Sequence, residues 1–254
     1  MRPFGAIAIL SVWASLAPAR ALAAADAGSL VVVVDPGHGG DKDGALSPDG
    51  RKEKEIALAI ALRLERALRE DGHEVILTRR DDSGLGLAER VEIANRHGAD
   101  VFLSVHANSM PTDSARSRVQ GVETFFLSAD ATDAAAAEVA RLENSDDERV
   151  DGPQADGALG AILADLARSE AHANSAQLAY LVHDHVVRAR QARDRGVRQA
   201  PFAVLQGAAM PAVLLEVGYI SHPDESRRLA EPDEQEKIAR AVAAAVDRFR
   251  PEVL

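Results

Sequence analysis

Apolar positions along the chain change their period several times, and each change marks an element. Residues 30–34 form a continuous Leu-Val-Val-Val-Val run that stops at Asp35-Pro36-Gly37, as expected of a strand buried on both faces that ends in a turn. After a glycine-punctuated polar loop over 39–50, Ile56, Ile60, Leu64, Ala67 and Leu68 recur at helical spacing until Asp71-Gly72. Residues 73–78 read as a second strand, 87–97 as a second helix ending at Gly98, 100–105 as a third strand and 121–127 as another. The rhythm then breaks. Alanine-rich, acidic sequence with helical spacing, including a stripe of Leu159, Ile162, Leu163 and Leu166, leads to the expectation of no further strand before Phe202. A short β-rich run follows at 213–217, and 235–249 reads as a closing helix. Strands alternating with helices predict an α/β fold: a three-layer sandwich in which helices flank a twisted, mostly parallel sheet, with a helical insertion.

Composition refines this picture. The chain has 254 residues, 46% of them hydrophobic, so a single catalytic domain over 28–254 with a sizeable core is expected. Arg2, the apolar stretch over 4–16 and Ala21-Leu22-Ala23 read as a cleavable export signal over 1–25, which places the mature protein in the periplasm or outside the cell. That apolar stretch falls short of the roughly 20 residues a spanning helix needs, so no membrane span is expected in the mature form. The net charge of -11 excludes nucleic acid and anionic lipid as partners, since both demand a basic surface. Nine acids against two arginines fall within 129–157, marking that region as an insertion, placed at 129–175. Cysteine is absent, so the core, with or without a metal, must hold the fold. A monomer is expected.

In an open α/β sheet, catalytic groups gather beyond the carboxyl ends of the strands. There the sequence puts His38, in Asp35-Pro36-Gly37-His38-Gly39-Gly40, His106, in Ser104-Val105-His106-Ala107-Asn108, and Glu216; Glu53 opens the first helix. Each has a plain structural reading. A histidine beside glycines is usually a loop residue, and an acid in a first helical turn is favoured by the helix dipole. Glu216 is different, because a carboxylate ending an apolar run is desolvated and needs a partner or a function. Together, two neutral imidazoles and one carboxylate are a ligand set for catalytic zinc with the fourth position open to water, and Glu216 is the spare carboxylate. Asp35 reads either as a partner for a ligand histidine or as a turn acid. His183 and His185 point to different faces of a helix, and His73, His97 and His172 read as helix-end or surface residues.

These residues belong to an ordered series that resembles the zinc-dependent N-acetylmuramoyl-L-alanine amidases of the division type. The series includes Val34-Asp35-Pro36-Gly37-His38-Gly39-Gly40, Glu53-Lys54, Ser104-Val105-His106-Ala107-Asn108-Ser109, Gly121-Val122-Glu123-Thr124-Phe125, Arg195-Gly196-Val197 and Met210-Pro211-Ala212-Val213-Leu214-Leu215-Glu216-Val217-Gly218-Tyr219. The resemblance implies one zinc ion on His38, Glu53 and His106, with Glu216 as catalytic acid and base. It implies cleavage of the amide between N-acetylmuramic acid and L-alanine in peptidoglycan, for wall remodelling or separation of daughter cells. It also implies that the acidic insertion is regulatory, with an acid in the open metal position until an activator protein draws the helix away. Glu143 is the first candidate for that acid and Glu170, which continues the stripe of Leu159, Leu163 and Leu166, the second; solvated surface acids are the alternative. His222 departs from the family, where asparagine is frequent. Two rivals stay open on the residues alone: a zinc exopeptidase or other amidohydrolase on the same kind of sandwich, and a wall-binding protein that keeps the cleft without catalysis.

Overall fold

The computed structural model describes residues 28–146 and 158–249, with backbone alone for 146 and 158–170. The expected leader at 1–25, and the side chains of the leucine and isoleucine stripe at 159–166 and of Glu170, therefore lie outside what is described. In chain order the elements are β1 (Val31–Pro36), α1 (Glu53–Glu70), β2 (Glu74–Leu77), α2 (Leu87–Arg96), β3 (Val101–Asn108), α3 (Asp113–Arg116), β4 (Val122–Leu127), α4 (Ala134–Glu143), α5 (Ala158–Arg190), β5 (Asp194–Ala200), β6 (Ala212–Tyr219), α6 (Pro223–Ala230) and α7 (Pro232–Phe249).

The strands form one sheet in the order β2-β1-β3-β6-β4-β5. β2, β1, β3 and β6 run parallel, β4 is antiparallel to β6, and β5 runs parallel to β4. Alternate side chains leave opposite faces of a strand, so Val32 and Val34 pack with α1, α5 and α7, whereas Val33 faces the layer built from α2 and α4. The first layer holds Ile60, Leu64, Leu178 and Val242; the second holds Phe102, Phe125, Val139 and Phe202. The Phe125 and Phe202 rings stand 4.9 Å apart at a tilted angle. Each such fully buried side chain contributes roughly 1.5–3 kcal/mol over its exposed state. Among the described residues no helix is long and apolar enough to cross a membrane.

β5 overturns the expectation that no strand precedes Phe202. Its sequence, Asp-Arg-Gly-Val-Arg-Gln-Ala, lacks apolar alternation because it is the sheet's edge, mostly half-buried, where charge is tolerated and discourages pairing with another chain. The insertion boundary at 175 falls inside α5, a continuous helix that runs on to Arg190. The far end of that helix is anchored. The buried Arg190 guanidinium pairs with Glu234 at 2.9 Å and Glu225 at 3.3 Å and donates to the Val217 carbonyl at the exit of β6.

Candidate active site

The carboxyl ends of β1, β3 and β6 lie side by side, and the four expected site residues gather there or at the start of α1. His38 sits in the turn after β1 with a positive φ of 58°, a backbone state that non-glycine residues rarely hold. Two buried guanidinium groups hold that turn by its carbonyls. Arg90 donates to Pro36 and His38, and Arg79 to Pro36 and Gly37. Arg90 is in turn paired with Asp35 at 2.8 Å, and Asp35 also accepts from Thr78 and Ser104. Asp35 thus acts on the loop through Arg90, rather than on a ligand histidine.

Two glycines clear the space. A Cβ on Gly37 would stand 2.4 Å from His106 Cε1, and one on Gly44 would meet His38 Cδ2 at 2.6 Å and Glu53 Oε2 at 2.7 Å. Glu53, at the N-terminus of α1, accepts from Ala45 N and Ala107 N, each at 2.9 Å, which ties its carboxylate to both neighbouring loops. Beside it, Lys54 Nζ bonds the Gly40 carbonyl, Asp43 and Asp82, closing the loop after His38 onto the helix.

His38 Nε2 lies 3.1 Å from Glu53 Oε2, and His106 Nδ1 lies 3.0 Å from Glu53 Oε1. A fourth group joins them. Glu143, the last residue of α4, brings Oε2 to 2.9 Å from His106 Nδ1 and 3.3 Å from His38 Nε2. One donor atom from each of His38, Glu53, His106 and Glu143 lies within 4.8 Å of the others. A small pocket of about 10 Å³ adjoins Glu143, walled by His38, His106, Arg90, Leu87 and Val204. The end of α4 is fastened by Asn144, which bonds the Pro201 carbonyl and Ala203 N. Its start is fastened by Asp133, which caps Ala136 N and pairs with Arg198.

Glu216 is fully buried beside this cluster. It pairs in register with His106 on one side and with Glu123 of β4 on the other. A shift in register between His106 and Asn108 kinks the β3–β6 ladder there, the kind of irregularity that re-aims side chains at sites. Neither Glu216 oxygen has a hydrogen-bond partner among the described residues. Burial, reinforced by the Glu143 charge, holds its pKa well above the usual carboxylate range. Burial acts the same way on Glu53, yet the two imidazoles outweigh it and keep Glu53 low. Burial disfavours charge on His106, but the Glu143 and Glu53 carboxylates raise its pKa to about 10.

The donor chemistry fits a divalent metal. Several carboxylates and two imidazoles packed out of water carry excess negative charge that is costly unless a cation balances it, and imidazole with carboxylate is a donor set for zinc.

Sequence reasoning missed the groups around Glu216. Glu123 accepts from Tyr219 OH at 2.8 Å, Asn108 Nδ2 at 2.9 Å and Arg195 Nε at 3.1 Å, and the Arg195 guanidinium lies 5.2 Å above the Tyr219 ring. Their signal was present in the motifs around 123, 195 and 219, which no period explains. Of the other histidines, His183 contacts Thr124 and Asp194 while His185 bonds the Leu181 carbonyl, so the two do diverge. His73 closes the end of α1, its backbone N–H donating to the Leu68 carbonyl, and is buried there, accepting from Leu30 N and pairing with Asp247. His222 caps α6 by accepting from Asp224 N and Glu225 N.

Fold and cleft define a three-layer α/β sandwich with a metal-type donor cluster at the carboxyl ends of its inner strands, and comparison with known proteins gives the rest. Residues 32–248 match the N-acetylmuramoyl-L-alanine amidase family, and the chain belongs to it. It is 38% identical to the N-acetylmuramoyl-L-alanine amidase AmiA of Escherichia coli over 223 residues, covering 86% of this chain and 75% of that protein. The catalytic domain of CwlV, an N-acetylmuramoyl-L-alanine amidase of Paenibacillus polymyxa, superposes with a TM-score of 0.64 at 30% identity, covering 89% of this chain and 99% of that one. The CwlD amidase of Clostridioides difficile, solved in complex with the GerS lipoprotein, gives a TM-score of 0.64 at 26% identity over 87% of this chain and 98% of that one.

Proposed function

We propose that the chain is a zinc-dependent peptidoglycan amidase in which His38, Glu53 and His106 hold the ion and Glu216 moves the protons. The observation that carries this reading is the meeting of those three donors beside a buried glutamate whose oxygens have no other hydrogen-bond partner among the described residues. Zinc in such a site supplies Lewis acidity, polarising a carbonyl and acidifying water from a pKa of about 15.7 toward about 7. Glu216 accepts a proton from the attacking water as the new carbon–oxygen bond forms. It delivers that proton to the stem's L-alanine nitrogen as the carbon–nitrogen bond breaks, leaving a lactyl carboxylate and a free amine. Its buried setting suits the second half of this task, because a raised pKa makes a carboxylic acid a competent donor near neutral pH.

The substrate lies outside the cytoplasm, in keeping with residues 1–25 as an export leader and 28–254 as the catalytic domain. The acidic stretch that follows β4 is the regulatory insertion, with Glu143 at the end of α4 occupying the position that water needs. Its approach to His106 at 2.9 Å and to His38 at 3.3 Å supports this role. Opening then requires a partner with higher affinity for the state in which α4 has moved. The CwlD relative, solved in complex with a lipoprotein, supports a protein partner for this chain as well. Separation of daughter cells is the setting this regulation suits.

Metal analysis joined to product analysis on purified sacculi tests the proposal. Zinc together with free stems that begin in L-alanine supports it. Zinc with single amino acids released from stems would indicate an exopeptidase, and neither metal nor product a wall-binding protein.

A further inference from the structure

A groove of about 680 Å³ opens beside the metal cluster and stays open while Glu143 fills the cleft. Its walls belong to the loops that leave the site. Ala45, on one wall, donates its N–H to Glu53 Oε2; Ser109 follows the end of β3, and Ser221 follows the end of β6. Ser221 also accepts from Met110 N at 3.0 Å, which stitches two of these loops together. A volume of this size is typical of sites that enclose a small organic ligand.

The lining has a definite chemistry. Leu46, 53% exposed, offers an apolar surface beside Pro48 and Pro223. Arg116 is the one cation among the groove's lining residues. Its Nε donates to the Met110 carbonyl at 2.8 Å, which orients the guanidinium, while 44% of the side chain remains exposed. Asp113, the neighbouring acid, lies 3.6 Å away with its own side chain fully exposed. An exposed pair at that distance binds weakly and leaves the guanidinium available to a better-placed carboxylate.

The geometry points to Arg116 as a specificity residue that binds a free carboxylate on the peptide stem, making this groove the peptide side of the substrate site. Leu46 and the prolines then meet the stem's methyl groups, and the glycan leaves the cleft on the other side. The inference rests on the amidase reading, since it is that reaction which presents a stem peptide at the metal cleft. It also explains how a covered enzyme recognises a wall: the groove remains accessible with α4 in place.

The test uses the full chain loaded with zinc, titrated calorimetrically with a synthetic stem tripeptide whose second residue carries a free carboxylate, and with the same peptide amidated at that carboxylate. The wild type is expected to bind the acid at least about tenfold more tightly than the amide, as loss of one charge-assisted bidentate contact implies. Arg116→Gln is expected to erase that preference and Arg116→Lys to keep part of it. A purely structural role for Arg116 would weaken both peptides equally. Asp113→Asn, which removes the competing acid, is expected to tighten the acid alone. A wild type without preference, or an Arg116→Gln variant that retains it, overturns the assignment. Stem release from sacculi, followed in parallel, separates the two readings: release without peptide preference removes Arg116 only, whereas preference without release removes the amidase mechanism only.

Discussion

Glu143 Oε2 lies 2.9 Å from His106 Nδ1, so the last residue of α4 reaches a side chain near the carboxyl end of a core strand. That contact joins the candidate regulatory element directly to the candidate metal centre. It converts a question about regulation into one about a single carboxylate.

If the carboxylate keeps the helix closed by even about 1.4 kcal/mol, its removal shifts the closed-to-open ratio tenfold. Glu143→Ala is therefore expected to release stem peptides from sacculi roughly tenfold faster than the wild type, with no loss of bound zinc. An unchanged or slower rate would count against the covering role. Removal of residues 131–171 is expected to act in the same direction, provided circular dichroism shows the sheet intact.

Glu216→Gln keeps the shape of the side chain and removes its capacity to carry a proton. We expect kcat to fall by about 10²–10⁴, the range for a lost general acid–base group, with zinc content unchanged. Thermal stability should hold or rise, because a buried carboxylate with no hydrogen-bond partner among the described residues is costly to fold. Retained kcat would remove Glu216 from the chemistry.

Gly37 lies directly against the His106 ring. In Gly37→Ala the new methyl would stand 2.4 Å from Cε1, so the ring must turn. Zinc affinity is expected to fall by roughly 10–100-fold, as it does when a group that orients a ligand is lost. Gly50→Ala is the control. Gly50 also has a positive φ, but no atom lies within 4 Å of its would-be Cβ, so that change should lower Tm and leave zinc affinity alone. Equal zinc affinities in Gly37→Ala and wild type would contradict the ring's role.

The sheet's central strands were legible because burial on both faces leaves an uninterrupted apolar run, as in Val-Val-Val-Val of β1 and Val-Leu-Leu of β6. β5 was not, since an edge strand needs no such run, and Arg195 and Arg198 there serve Glu123 instead of the core. The candidate site was legible in its residue types and motif order. His38, Glu53 and His106 stood out because imidazole and carboxylate at strand ends are chemically telling. Glu143 could be singled out only by resemblance: nothing in Arg141-Leu142-Glu143-Asn144 distinguishes an acid folded over a cleft from one facing water. Asp35 shows the limit most clearly. Its spacing allowed a bond to a ligand histidine, but a buried arginine from α2 takes that carboxylate, and long-range pairs of this kind leave no periodic trace.

Isothermal titration of zinc into the metal-stripped chain tests the central claim most directly. The wild type is expected to bind one ion per chain, and His38→Ala, Glu53→Ala and His106→Ala each to lose at least about a hundredfold in affinity while remaining folded. Wild-type affinity in all three variants would contradict it.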